Sequence, residues 1–255
     1  DPMHTPIQLV TRVSPLVPHC RFLHDRMLQA AYQSLSEDAR QQAHLAIGRL
    51  LYRHTEAEEI ELLLFSIVEQ FNQGRDLITC NKERLLLAGL NLKAATKAKQ
   101  ASAWETSVRY AQIGVDLLPD DSWKKDYRLT HALHLIRIEC EFLISNHNKA
   151  QALAENLLQQ VQTQHEKAHI CFLLASHQLN FDPEYSINKG LAGLGYCGID
   201  VPNMQILNDS LIKLEHDGLE ALLANNGRQN TDNLTPTPEA SLSYRLCSQL
   251  AGACQ

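Results

Sequence analysis

The sequence predicts an all-α protein assembled from paired helices, and three observations carry that prediction. In 255 residues, apolar side chains make up 44%, charged ones 20% and aromatics only 6%, with 11 Gly and 9 Pro. This mixture, rich in Leu, Ala and Gln, favours helix over sheet. Apolar residues recur at helical spacing along most of the chain. Finally, Asn81 to Pro119 reads as two antiparallel helices around a tight turn, with small residues at Ala94, Ala95, Ala98, Ala101, Ala103, Ser107, Ala111 and Gly114. Small side chains let two backbones approach closely, and Leu90, Leu92, Tyr110, Leu117 and Leu118 then seal the pair.

Taken in order, Pro2, Pro6, Pro15 and Pro18 exclude a long helix at the start, and IQLVTRV between them allows one short strand. A second short strand over Arg21–Leu23 enters a helix from Asp25 to about Leu35, with Leu28, Ala31, Tyr32 and Leu35 on one face. Ser36 is an N-cap with Glu37 and Asp38 in the positive first turn behind it. That helix reaches about His54, with Ala43, Ile47, Leu50 and Leu51 as its expected buried stripe. Ala57 to Phe71 forms a helix burying Ile60, Leu63, Leu64, Ile67 and Phe71, stopped by Gly74. After the small-residue hairpin, residues 119–122 break the chain and cap one long helix from Trp123 to about Ile144. Lys149–Gln162 and Glu166–Asn180 form another pair, and Asp182-Pro183 starts a helix that ends near Gly195–Gly198. A further helix spans Asn203 to about Asn225. Residues 226–238 read as a mobile linker, and a last helix starts at Glu239.

A faint repeat runs through these pairs. Small residues follow successive turns at Ser107, Ala111 and Gly114, then at Ala150 and Ala154 (with Leu157 third), then at Ser186, Gly190 and Gly193. The offsets imply elongated, degenerate relatives of the helix pair that repeats about every 34 residues in tetratricopeptide arrays.

A net charge of −6 argues against nucleic acid or an anionic membrane as the main partner. No apolar run approaches the roughly 18 residues of a membrane span, and no signal peptide is visible. The seven cysteines contain no CxxC pair and read as mostly buried, reduced thiols of a cytoplasmic protein. Both ends of the chain read as cuts in a longer protein.

Chemistry-bearing motifs are few. His165-Glu166-Lys167-Ala168-His169 matches HExxH, in which two histidines one turn apart share a zinc ion and the Glu activates water; His177 or Glu184 would supply the third ligand. Its polar setting, behind QVQTQ, reads instead as a solvated helix start. His131 and His134 share a face without an obvious third ligand, and Lys93, Lys97 and Lys99 read as a solvated basic face. There is no GxxxxGK[ST], GxGxxG or GxSxG. His24-Asp25 follows Phe22-Leu23 at a strand-to-helix junction, where Asp25 alone would serve as a local cap.

RFLHDRMLQAAYQSL, HLAIGRLL, NKERLLLAGLNLKAATKAKQASAW and WKKDYRL, in that order, resemble the central region of large bacterial signalling proteins built on a STAND-type, AAA-like ATPase core. In that family a serine/threonine kinase domain often precedes the ATPase, and GAF and histidine-kinase modules often follow. The resemblance implies a winged-helix remnant over residues 1–54, tetratricopeptide-like repeats over 55–225, and a truncated helix over 239–255. It also implies that His24, with Asp25, approaches the β-phosphate of a nucleotide bound by the parent protein and senses ADP against ATP. The segment itself, lacking a phosphate-binding loop, implies no cofactor and no catalytic site of its own. Its expected partner is another protein or another domain of the same chain. A free-standing helical adaptor and, remotely, a zinc hydrolase through His165, Glu166 and His169 stand as the alternatives.

Overall fold

A computed structural model describes residues 25–199 apart from Ala57 and Asn180, with side chains from Gln29 onward. The expected N-terminal strands, His24, the helix over 203–225, the linker and the last helix lie outside the described residues. Within them the chain is all helical. α1 is Asp25–Ser34, α2 Glu37–His54, α3 Ile60–Gln73, α4 Asn81–Gln100 and α5 Trp104–Asp116. The short α6 is Ser122–Lys125, followed by α7 Tyr127–Leu143, α8 His147–Gln160, α9 Gln164–Gln178 and α10 Pro183–Tyr196. A 3-10 turn, Arg75–Leu77, lies between α3 and α4.

Successive helices pair as hairpins, α2 with α3, α4 with α5, α7 with α8 and α9 with α10, and each hairpin stacks on the next. One core runs from Leu45 of α2 through Ile67, Phe71, Leu87 and Ala111 to Leu133 and Cys140 of α7. A second continues from Ile138 through Ala154 and Leu157 to Leu174 of α9. A third, smaller one joins Ala168 and Phe172 to Leu194 of α10. Because α7 contributes to the first two cores, the stack is continuous. Each fully buried Leu or Ile contributes about 1.5–3 kcal/mol.

In the α4–α5 hairpin Ala94, Ala95, Ala98, Ser107, Ala111 and Gly114 are all buried, as the small-residue pattern requires; Ala101 and Ala103 fall in the turn and keep some exposure. A Cβ on Gly114 would sit 2.5 Å from Leu133 Cδ2, so this position also lets α7 press against α5. Ser107 Oγ donates to the Ala95 carbonyl at 2.8 Å. Ser186, at the matching place in the last hairpin, donates to the Ala175 carbonyl at 2.6 Å. Two buried hydroxyls thus tie one helix to its partner at corresponding turns. Between α3 and α4, Asn72 and Asn91 exchange amide hydrogen bonds in both directions at 2.9 Å, and both residues are buried.

Several expectations need correction. The buried side of α2 is Leu45 and Gly48, where a Cβ would meet the Phe71 ring at 3.0 Å; Ala43, Ile47 and Leu50 face outward. Tyr32 of α1 and Leu35, just beyond its end, are likewise exposed. Gly74 does end α3, though not through a left-handed backbone: its φ is −109, and a Cβ there would lie 2.5 Å from the Gln41 carbonyl oxygen of α2. The expected helix from Trp123 to Ile144 is two helices. The Asp126 N–H closes the short α6 on the Ser122 carbonyl, and Asp126, with φ −129 and ψ 43, leaves helical geometry before α7. Of the four described cysteines, Cys140 and Cys171 are buried thiols, Cys197 is half-buried and Cys80 is exposed.

Candidate functional site

Seven residues at the turn ends of the last two hairpins form an open recess of about 570 Å³: Ser145, Asn146, His147, Asn148, Lys149, Gln178 and Phe181. The chain reaches it through Ser145, which takes a left-handed φ of 64. The Ser145 N–H then bonds the Phe142 carbonyl and the Asn146 N–H the Glu141 carbonyl. This paired closure uses up two helix-end acceptors and turns the backbone sharply into α8.

Beneath the turn lies Glu141, which has no exposed surface. Asn146 Nδ2 donates to its Oε2 at 2.8 Å, and Lys149 Nζ sits 2.6 Å from its Oε1. A buried carboxylate is tolerated only when paired and hydrogen-bonded, and both partners here come from the first turn of α8 and its cap. The acid therefore clamps the start of α8 to the end of α7. Rings fill the neighbouring space. His177 stacks on Phe142 at 4.4 Å and 7°, and His147 lies 4.4 Å from Phe181. Burial pushes the His177 pKa below the ordinary histidine value, and the nearby His147 adds to this; Glu139 opposes it. With three carboxamides, an imidazole, an ammonium and a phenyl ring at its wall, the recess can hold a polar chain segment by hydrogen bonds.

A second pattern ties the hairpins to one another. Tyr110 of α5 donates to Glu69 of α3 at 2.6 Å, Tyr127 of α7 to Glu166 of α9 at 2.7 Å, and Tyr185 of α10 to Glu155 of α8 at 2.7 Å. Each tyrosine–glutamate bond crosses a hairpin boundary. Arg109 joins the first, 2.5 Å from Glu69, and holds that carboxyl below its usual range. Burial, with the carboxylate beside it, pushes Tyr110 up to about 12. Lys99 and Glu139, 2.6 Å apart, link α4 to α7.

The sequence-derived site residues fall as follows. His24 lies outside the described residues; Asp25 is the first residue of α1, its side chain also outside them. His165, Glu166 and His169 do stand on one helix, α9, close to its start. Glu166 closes a capping box there: the Thr163 side chain accepts from its backbone N–H, and its own Oε2 accepts from the Thr163 N–H at 3.1 Å. Burial raises its carboxyl pKa, but the bonds from Tyr127 and Thr163 outweigh that and leave it lowered. His177 is eight residues beyond His169, about 12 Å along the helix, and stacked on Phe142; Glu184 is exposed on α10. Among the described residues no group of three or more His, Cys, Asp or Glu is placed to hold a metal ion.

His131 stacks on Tyr127 and His134 on Trp123, and burial lowers both their pKa values. Of the basic run, Lys97 donates to the Glu61 carbonyl and Lys99 pairs with Glu139, so only Lys93 is solvated in the way expected. Reading the sequence alone missed Glu141, Asn146 and Lys149. The only signal was weak: Glu141 is one of two acids, with Glu139, in the largely apolar run IRIECEFLI, followed by a lysine just after a polar turn.

Among the described residues no helix is long and apolar enough to cross a membrane. No protein-family model matches the chain, and no solved structure matches it. The chain is similar to "Hybrid signal transduction histidine kinase G" of Dictyostelium discoideum, 31% identical over a stretch covering 54% of this chain. That stretch is 5% of the relative's length, so the chain spans only a small part of that protein.

Proposed function

We propose that this chain is a regulatory, protein-interaction arm of a signalling protein of the histidine-kinase kind. The observation that carries the reading is the similarity to a small part of a hybrid histidine kinase. The stacked hairpins add support, because tyrosine–glutamate bonds cross the first and last hairpin boundaries, the Lys99–Glu139 pair crosses the middle one, and a displacement at one end has a physical route to the other. In this reading the arm binds a protein partner, or another domain of its own chain, and biases the state of neighbouring modules. Those modules are an ATPase of the STAND type and a kinase, both supplied by the parent protein in the cytoplasm. ATP or ADP binds there, and His24 with Asp25 senses which one is present. The arm contributes no catalytic group and no cofactor.

The test is made in the full-length protein. Tyr110→Phe, Tyr127→Phe and Tyr185→Phe together remove the three cross-hairpin bonds while keeping the rings. The expected result is a several-fold change in autophosphorylation rate or in its response to signal. An unchanged rate and response, with the bonds lost, would overturn the coupling. For the sensor, His24→Ala should weaken ADP binding by the parent; unchanged ADP affinity and exchange would remove it.

A further inference from the structure

The recess at the α7–α8 turn presents open hydrogen-bonding groups of both kinds. Donors come from the start of α8. Its cap residue, Asn146, makes no side-chain bond to the helix, because its carboxamide is turned to Glu141. The first N–H at this end to find an acceptor within the helix is that of Ala150, on the Asn146 carbonyl. The N–H groups of His147, Asn148 and Lys149 are left open, as the first-turn donors of an uncapped helix are. An acceptor comes from α9. Gln178 is only 5% exposed; its Nε2 donates to Gln151 Oε1 at 2.9 Å, and its own oxygen receives no bond among the described residues. His147 Nδ1, on the same wall, is buried and also without a hydrogen-bond partner. Polar atoms so withdrawn from water are normally satisfied, so two incomplete groups on one wall point to a ligand that completes them.

Charge narrows the chemistry of that ligand. The Lys149 ammonium is spent on Glu141, 2.6 Å away, and this carboxylate has no exposed surface. The two cancel. An anion would gain the open N–H groups but meet the Gln178 oxygen and the acid beneath, and a cation would meet the positive end of the α8 dipole. A neutral group that carries a donor and an acceptor together satisfies both sides. The peptide unit is such a group, with its N–H for Gln178 and its C=O for the start of α8. A helical segment spends those atoms internally, whereas an extended one keeps them free. Phe181, 65% exposed, adds an apolar surface for a side chain next to the bound amides. We propose that this recess binds an extended segment of a partner protein through its backbone amides, with little regard to side-chain charge. The inference rests on reading the chain as an interaction arm and names what that arm grips.

A displayed library of random dodecapeptides is selected against the whole chain, and the enriched peptides are synthesised. Their binding is measured to the parent, to His147→Pro and to Phe181→Ser, with helicity matched by circular dichroism. Proline suits the first position of a helix and removes one open N–H together with the imidazole. Phe181 is exposed, so its replacement preserves folding. The enriched peptides are expected to share no charge and to keep their affinity in high salt. Each variant should weaken binding roughly tenfold, about the worth of a hydrogen bond or a small apolar contact. Methylating the peptide's backbone nitrogens should abolish binding, a readout that does not depend on how the variants fold. Acidic peptides whose affinity falls with salt would make this an anion site and overturn the proposal. Peptides indifferent to N-methylation, peptides that bind both variants as tightly as the parent, or no enrichment at all would overturn it too. So would sedimentation showing self-association that Phe181→Ser abolishes. The kinase measurement on the tyrosine variants decides the arm reading independently.

Discussion

Two hairpins of this protein share one backbone and differ in what they bury. Ser102 after α4 and Ser145 after α7 are the described non-glycine residues with positive φ, at 58 and 64, and they stand 43 positions apart. The same pair of bonds closes each turn: Ser102 to Lys99 and Ala103 to Ala98 in the first, Ser145 to Phe142 and Asn146 to Glu141 in the second. At the same offset, Ala98 of the first corresponds to Glu141 of the second, Ser107 to Ala150 and Gly114 to Leu157. One hairpin is sealed by methyl groups and a buried hydroxyl. The other is built around a buried carboxylate with a lysine and an asparagine brought to it. The turn geometry is thus independent of the side chain beneath it, which leaves that position free to acquire a polar clamp.

Transplanting the acid is the harshest test of this comparison. Ala98→Glu puts a carboxylate into the sealed hairpin, where Ala103 and Thr106 stand in the places of Asn146 and Lys149. An uncompensated buried charge costs about 3–5 kcal/mol, and chemical denaturation should show a loss of that size or a failure to fold. Removing one partner of the natural clamp is the next largest effect. Lys149→Met leaves Glu141 with Asn146 alone, and because the lysine is 54% exposed the expected loss is reduced to about 1–3 kcal/mol. Adding Glu141→Leu to that variant should restore most of the stability; a double variant no more stable than Lys149→Met would show that the acid is not what the lysine compensates. The hydroxyl distinction is smaller. Ser107→Ala should cost about 0.5–1.5 kcal/mol, the net value of a buried hydrogen bond, and Ala150→Ser should change stability far less than that unless its hydroxyl finds the corresponding carbonyl.

The smallest effect is on pH. Burial holds the His177 pKa below its ordinary value, so the folded state disfavours the charged ring. Stability from this group is fully present above about pH 6.5 and falls as pH drops through the lowered folded value. His131 and His134 act with the same sign. Glu69 contributes at lower pH, since a carboxyl depressed by Arg109 loses its stabilising effect only as it is protonated. A thermal-denaturation series from pH 8 to pH 5 should decline, and His177→Phe should flatten part of that decline. An unaltered slope would separate the ring stack from the pH response.

The small-residue hairpin was legible because Ala94, Ala98, Ser107, Ala111 and Gly114 repeat at helical spacing on two neighbouring segments, and nothing but close packing requires that. The stripe on α2 misled because Ala43, Ile47 and Leu50 form as good an apolar face as the one around Leu45 and Gly48 that is buried. Periodicity reports two candidate faces there; the fit of Gly48 against Phe71 decides between them. The HEKAH segment was legible as a helix start through the polar QVQTQ before it; the structure adds the capping box of Thr163 and Glu166 that starts α9. The Glu141 clamp was hidden because its partners lie across a turn and look like ordinary turn residues. The break at Asp126 was hidden because neither Gly nor Pro marks it.

The reciprocal pair of Asn72 and Asn91 has a consequence for how this protein can move. Each amide satisfies the other with both atoms, in a buried place where water cannot substitute. Sliding α3 along α4 by even one turn would strand both amides at once, at a cost of several kcal/mol. Shear between these two helices is therefore closed off, and the first hairpins must travel as one block. Motion carried along the stack is then left to the later boundaries, which lack such a reciprocal pair among the side-chain bonds of the described residues.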